Sequence, residues 1–360
     1  MDKPLISVLI PAYNVERYLG ECLSSILSQS ETRVEVLVMD DGSTDGTNAL
    51  LARYAANDAR LRLFRQENAG AYVARNRLLA EARGRWIYFC DADDRLASGA
   101  FARLLAAAEA DDLDFVGFCA DVFYDSPSLE ARFAKFRNRY SFSCDFASPC
   151  TGEELFCKIV AAGEWRSLVW LMFLRRDLLD GNAIRFVERR VHSDDIFGID
   201  VLLHARKAVR LPDRLYFRRM REGSLMTSFH PLADFLSYWH NACWTLAAGE
   251  RPDRSAPARA ALGELVFHML RNARRAARRL TEEDWLRLAA EHPGENAVAR
   301  VFSNKRMAQQ LQARDEGTAR RYARIVLLRR AVSKKKRQLL SALRASRAYR
   351  LGTALFARRK

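Results

Sequence analysis

The sequence predicts an α/β fold: an open sheet whose strands end in acidic loops, joined to a helical and strongly basic extension. Three observations carry this. The first hundred of the 360 residues alternate short apolar runs with stretches of helical period, the pattern of βαβ units. The run Trp86-Ile87-Tyr88-Phe89-Cys90-Asp91-Ala92-Asp93-Asp94 is an apolar strand that stops abruptly in three carboxylates. Finally, the net charge of +15 is carried by one half of the chain. Residues 231–360 hold 28 Lys and Arg against 11 Asp and Glu, whereas residues 1–230 hold 31 against 33.

In order, Leu5–Ile10 forms a strand stopped by Pro11, and Glu16–Gln29 forms a helix with apolar residues at 19, 22, 23, 26 and 27. Val34–Met39 is a second strand, closed by Asp40-Asp41-Gly42, after which Ser43 or Thr44 caps a helix running to about Asn57. Leu61–Phe64 is a short strand, Tyr72–Ala82 a helix, and Phe115–Ala120 a further buried strand. Residues 124–150 lack periodicity and read as an irregular insertion, and 151–215 return to mixed helix and strand. From Pro231 the chain is Ala/Arg/Leu-rich and helical. The expected divisions are 1–230 for the α/β domain, 231–316 for a helical region and 317–360 for a basic amphipathic tail.

Composition narrows the class. An apolar share of 49% suits a globular protein with a full core. Seven cysteines with no C-x-x-C pair read as reduced thiols in a cytoplasmic protein. The chain passes from Met1-Asp2-Lys3-Pro4 straight into a strand, leaving no room for a signal peptide, and no apolar run is long enough to span a bilayer.

Acids cannot sit unpaired inside a sheet, so the loops at 40–41 and 91–94 belong at the C-terminal strand edge, where open α/β sheets bind ligands. Extended backbone would point Asp91 and Asp93 together and Asp94 away, letting two carboxylates hold a hard cation on a diphosphate. Tyr13 offers a flat face to a base, and Arg75 and Asn76 lie one turn into a helix that follows Gly70. Neither a G-x-G-x-x-G nor a P-loop is present.

Four ordered segments, Ser7–Asn14, Asp40–Thr47, Asn68–Asn76 and Asp91-Ala92-Asp93-Asp94, resemble those of the family-2 inverting glycosyltransferases over about residues 5–225. The resemblance implies the GT-A fold. It also implies that Pro11, Ala12, Tyr13 and Asp41 line a nucleoside pocket, with Asn68 and Arg75 near base and diphosphate. Asp91 would approach the ribose or sugar, and Asp93 would ligate Mg²⁺ or Mn²⁺. Within His192-Ser193-Asp194-Asp195, Asp195 matches the family's catalytic base and Asp194 stands where Glu is more common. His192 could approach the metal, although a lone His in a loop is more often structural. The stretch Leu215–Ser224 resembles a strand and loop over the diphosphate, where alternation favours Arg219 and Arg221 over Arg218. Trp170 and Leu174-Arg175-Arg176-Asp177 match a scaffold helix beside the acceptor cleft. The implied activity is metal-dependent transfer from a UDP-hexose or UDP-N-acetylhexosamine to a hydroxyl of a cell-surface glycan or lipid-linked acceptor.

Two other classes compete. A nucleotidyltransferase would also use strand-end acids and a metal, but the chain lacks that class's Gly-rich, Lys-containing phosphate loop. A nucleic-acid-binding protein would interleave aromatics with its basic residues, and these are sparse after 231, so no nucleic acid is expected. Residues 317–360 hold 15 bases and no acid, with Ile325, Leu328, Val332, Leu339 and Leu343 on one helical face and Arg330, Lys334, Arg337 and Arg344 opposite. This predicts a peripheral position on the anionic inner face of the cytoplasmic membrane, the alternative being a basic helix docked on the protein's own acidic surface or an oligomer contact.

Overall fold

The computed structural model describes residues 3–142, 146–166, 168–188, 191–223, 230–292 and 299. They fall into two compact units: one holds the described residues up to 223 except Val191 and His192, and the second holds those two residues and the described residues from 230. The 317–360 tail lies outside the described residues.

The first unit is built on a nine-stranded mixed sheet in the order β3-β2-β1-β4-β8-β6-β9-β5, with β7 pairing β9. Its parallel half consists of β1 (Ile6–Ala12), β2 (Val34–Asp40), β3 (Leu61–Arg65) and β4 (Trp86–Phe89). The connecting helices are α1 (Glu16–Leu27), α2 (Thr47–Asn57) and α3 (Ala71–Glu81). Beyond the short strand β5 (Arg95–Leu96) and helix α4 (Ala100–Ala110) come β6 (Phe115–Tyr124), β7 (Phe146–Cys150), β8 (Met172–Arg175) and β9 (Ala208–Met220). Strand β8 runs antiparallel to both β4 and β6, while β6 and β9 are parallel across a bulge. β1 and β2 are buried almost throughout, as strands covered on both faces must be, which explains their near-continuous apolar sequence.

Four stretches depart from the sequence reading. Pro11 does not stop β1: its partner is Met39 and the ladder continues to Ala12–Asp40. Leu9 gives its carbonyl to Cys90 on the β4 side, and Ala12 gives its carbonyl to Asp41 on the β2 side. Pro11 therefore turns its missing N–H toward β4, beyond that strand's last residue, where no bond is lost. Helix α2 starts at Thr47, not after Ser43 or Thr44, because both are used to tie the β2–α2 loop to Asn14. Residues 124–150 are more regular than expected, containing helix α5 (Pro127–Phe133), a turn of 3₁₀ helix at Ala134–Phe136 and strand β7. Trp170 lies in a 3₁₀ turn and Leu174-Arg175 in β8, where a helix was expected, while Arg176-Asp177 do open a helix.

The remaining helices of this unit are α6 (Gly152–Ala161), α7 (Arg176–Gly181) and α8 (Ser193–His204). A Cβ on Gly152 would lie 2.2 Å from the Leu202 carbonyl oxygen, so only glycine lets α6 approach α8 this closely. Asp114 ties together the starts of β6 and β9 and the end of β8: its carboxylate accepts from the Arg206 backbone and guanidinium, and Arg175 lies at 3.1 Å.

The second unit contains α9 (Pro231–Gly249), α10 (Ala256–Ala277) and α11 (Glu282–Glu291), with Phe235, Trp239, Cys243, Ala273 and Leu288 in its core. Pro231 opens α9, Ser255 caps α10, and Thr281 with Asp284 forms a capping box on α11. His192 belongs to this unit: its Nε2 lies 3.0 Å from Asp234, its ring stacks on Tyr238, and its carbonyl accepts from Asn241. Among the described residues, no helix is long and apolar enough to cross a membrane.

Candidate active site

The parallel strands β1, β2 and β4 end side by side, and the loops beyond them carry most of the residues singled out in the sequence. Two of these loops are laced together. Asn14, with φ of +51°, turns its side-chain oxygen to the Thr44 backbone N–H (2.8 Å), while its own N–H donates to Ser43 Oγ (3.1 Å). Asn tolerates that left-handed backbone better than most residues. Next to it Tyr13 is 47% exposed, with Ala12 buried beneath.

Asp41 organises the approach to α3. Its Oδ1 accepts from Gln66 Nε2 (2.6 Å) and the Ala69 N–H (2.9 Å), and its Oδ2 from the Gly70 N–H (2.9 Å). Only 3% of the residue is exposed. A carboxylate here satisfies N–H groups next to the helix N-terminus, which favours negative charge. Gly70, at φ of +91°, makes the turn that Asp41 holds, and Asn68 beside it is exposed.

The acidic loop is a turn, not a continued strand: β4 stops at Phe89 and the Asp94 N–H bonds the Asp91 carbonyl. The alternation that would point Asp91 and Asp93 together therefore does not apply. Each carboxylate instead has its own cationic or hydroxyl partner. Asp91 accepts from Arg75 Nη2 at 2.6 Å, and Asp93 from Arg221 Nε at 2.6 Å. Asp94 does not point away to solvent. It is buried, accepting from Tyr216 OH and from the Arg219 backbone N–H, both at 2.7 Å. Burial first, then the charges of Asp93 and Asp91, push the Asp94 carboxyl well above its ordinary range, against the pull of Arg218 and the Arg219 N–H.

Arg219 and Arg221 do share a face, on which each guanidinium lies 5.0 Å from the Tyr18 ring centroid. Arg218 turns the other way, bonding Tyr140 OH and lying over Tyr140 and Trp170. Arg219 is already committed within the chain: its Nε donates to the Asp93 carbonyl, and its terminal nitrogens to Asp125 and Glu21. Arg221 bonds Asp93 and the Glu222 carbonyl, and is the more available of the two to an arriving anion.

The acidic pair Asp194–Asp195 lies in the first turn of α8, a favourable end of the helix for negative charge. Tyr72 OH donates to Asp194 Oδ1 at 3.0 Å. Burial first, then the charge of Asp194, raises the Tyr72 hydroxyl well above its usual range, and Asp195 adds to the effect. Tyr72 in turn stacks on Phe186 and lies under the Arg75 guanidinium.

The structure thus brings Asp91, Asp93, Arg75, Arg219 and Arg221 into one cluster and links Asp91 through Arg75 and Tyr72 to Asp194. Sequence reasoning missed Tyr72, Tyr216, Tyr18, Glu21 and Asp125. For Tyr72 a signal existed, since it stands one helical turn before Arg75. The others act from elements far away in sequence, and no local pattern announces them.

Residues 7–155 match the family model described as glycosyl transferase family 2. The chain is 33% identical over 234 residues to the uncharacterized glycosyltransferase EpsJ of Bacillus subtilis, covering 62% of this chain. That match takes up 63% of EpsJ, a little under two thirds of its length. Its fold is similar to that of S. aureus TarS 1–349 crystallised with UDP-GlcNAc, with a TM-score of 0.60 at 23% identity over 82% of this chain and 79% of that one. It is also similar to the mannosyltransferase PcManGT of Pyrobaculum calidifontis in complex with GDP-Man and Mn²⁺, with a TM-score of 0.51 at 17% identity over 98% and 86% of the two chains. The fold is the GT-A fold. Residues 7–155 are thus similar in sequence to the family-2 glycosyltransferases.

Proposed function

We propose that this chain is an inverting, metal-dependent glycosyltransferase. It would move a hexose or N-acetylhexosamine from a UDP-linked donor to a hydroxyl of a cell-surface glycan or lipid-linked acceptor. One observation carries the reading: two acids at the strand ends are arginine-paired, Arg75–Asp91 and Arg221–Asp93, and the first pair lies within two side-chain contacts of Asp194, through Tyr72.

In this reading Tyr13 supplies an exposed ring for the base, while Pro11, Ala12, Asp41 and Asn68 form the pocket around the nucleoside. Arg221 pairs with the diphosphate, which competes with Asp93 for the guanidinium. Arg219 supports the loop from behind. Among the described residues no group of three or more His, Cys, Asp or Glu side chains could hold a metal ion. The hard oxygens of Asp93 nevertheless fit Mg²⁺ or Mn²⁺ held jointly with the diphosphate, since Mg²⁺ commonly takes one or two carboxylates plus phosphate and water. When bound, the cation neutralises charge that grows on the departing nucleoside diphosphate.

Asp195 then takes the proton of the acceptor hydroxyl as its oxygen attacks C1 from the face opposite the leaving group. The new C1–O bond forms as the bond to the diphosphate breaks, inverting the anomeric centre. The tail at 317–360 would hold the enzyme at the anionic inner surface of the cytoplasmic membrane, near lipid-linked acceptors.

Labelled UDP-glucose, -galactose, -GlcNAc and -GalNAc, each incubated with Mn²⁺, test the donor. Release of labelled sugar from one of them is the expected result, and no release from any would overturn the UDP-sugar assignment.

A further inference from the structure

One helix touches both acidic segments of the site. Tyr72, Arg75 and Asn76 fall at i, i+3 and i+4 on α3 and so share a face. Arg75 Nη2 donates to Asp91 Oδ1 at 2.6 Å. Tyr72 OH donates to Asp194 Oδ1 at 3.0 Å. Asn76 grips the Phe186 backbone in both directions, its Nδ2 donating to the carbonyl and its Oδ1 accepting from the N–H, each at 2.9 Å. The next residue, Val187, donates to the Oγ of Ser193, the first residue of α8.

Ring packing makes this assembly stiff. Phe186 stacks on Tyr72 at 5.5 Å and on Phe197 of α8 at 4.1 Å, with the Arg75 guanidinium 5.5 and 5.7 Å from the Tyr72 and Phe186 centroids. A buried hydroxyl needs a partner, and the carboxylate Tyr72 has found is the neighbour of the residue assigned as base. Holding Asp194 fixes the rotation of the first turn of α8, and Asp195 turns with it.

We infer that Tyr72 is a positioning residue: acting through Asp194, it sets the Asp194–Asp195 pair at a fixed place relative to the donor acids, with α3 as the spacer between them. This rests on the reading of Asp195 as the base. A misplacement of about 1 Å at a reacting group can cost about a hundredfold in rate, so one hydrogen bond at this point has leverage.

The test is a double-mutant cycle on the full chain, read as Mn²⁺-dependent hydrolysis of whichever labelled UDP-hexose or UDP-N-acetylhexosamine the wild-type protein accepts. Tyr72→Phe keeps the ring between Phe186 and Arg75 and removes only the hydroxyl. Its kcat is expected to fall about tenfold. Its KM for the donor, and the Kd for UDP measured by calorimetry, should stay within about twofold of wild type. Asp194→Ala removes the partner from the other side, and the double variant should be no slower than Asp194→Ala alone. A wild-type kcat in Tyr72→Phe, a loss residing wholly in donor KM, or losses that multiply in the double variant would each overturn the inference. Asp195→Asn, run alongside, separates the two readings. Full turnover in that variant overturns the base assignment and the role with it, whereas an inactive Asp195→Asn beside a fully active Tyr72→Phe overturns the role of Tyr72 alone.

Discussion

Asp93→Asn keeps the shape of the side chain but removes the charge that pairs with Arg221 and that would hold a cation. Turnover is expected to fall by about a hundredfold or more with the far-ultraviolet circular dichroism unchanged. Turnover undiminished both in this variant and in EDTA would remove Asp93 from the metal site. Asp195→Asn should lower kcat by about 10²–10⁴-fold while UDP affinity by calorimetry stays near wild type, since a general base contributes little to donor binding. Loss of UDP affinity with normal turnover at saturating donor would move Asp195 into the donor site. At this scale residue types were legible, and so was the shared face of Arg219 and Arg221, but the directions of the acids were not. Three consecutive-looking acids announced a strand-end site, but which way each points depends on a turn at Ala92–Asp93 and on Tyr216 and Arg219, more than a hundred residues away. Alternation along an extended strand could not foresee either.

Among the elements, the βαβ half was readable because its strands and helices are each specified locally: β2 was expected at Val34–Met39 and ends at Asp40, and α3 was expected at Tyr72–Ala82 and spans Ala71–Glu81. The 124–150 segment was not, because its short helix and strand are held by partners outside it, such as β9 for β7. Asp114 shows how the distant strands are kept in place. Burial alone would raise its carboxyl, but the bonds from Arg206, with the nearby charge of Arg175, outweigh burial and hold it below the ordinary carboxylate range. A depressed carboxyl contributes stability above its unfolded value of about 3.9, and that contribution disappears as pH falls through the folded value. Asp114→Asn is therefore expected to melt several degrees below wild type at pH 7, with the gap narrowing below about pH 4. An equal gap at pH 7 and pH 3 in thermal denaturation would mean that charge is not what Asp114 contributes.

For the whole molecule, the most telling property is where the charge sits. A near-neutral α/β half is joined to a half that carries the full positive excess, and the acid-free stretch from 317 onward concentrates it further. Each base near anionic lipid contributes about 1 kcal/mol, so the 15 bases from 317 onward would favour a membrane surface at moderate salt, the role proposed for this tail. Truncation after Glu316 is expected to abolish sedimentation with phosphatidylglycerol vesicles and to leave donor hydrolysis intact. Equal vesicle binding by truncated and full-length protein would take the membrane role away from this tail. Charge also shapes the acidic loop at the strand ends. Because Arg75 answers Asp91 and Arg221 answers Asp93, the acidic loop is neutralised by the chain's own side chains. Loops built around a structural ion fall apart under chelation, because the ion's binding energy is also folding energy. This loop, held by its own ion pairs, is expected to have no such dependence. Demetallation should accordingly be a gentle and reversible operation: prolonged dialysis against EDTA is expected to leave the melting temperature within about 2 °C of the undialysed protein. Full turnover should then return on adding Mn²⁺, so the protein can be stored, purified and compared metal by metal from a single stripped stock.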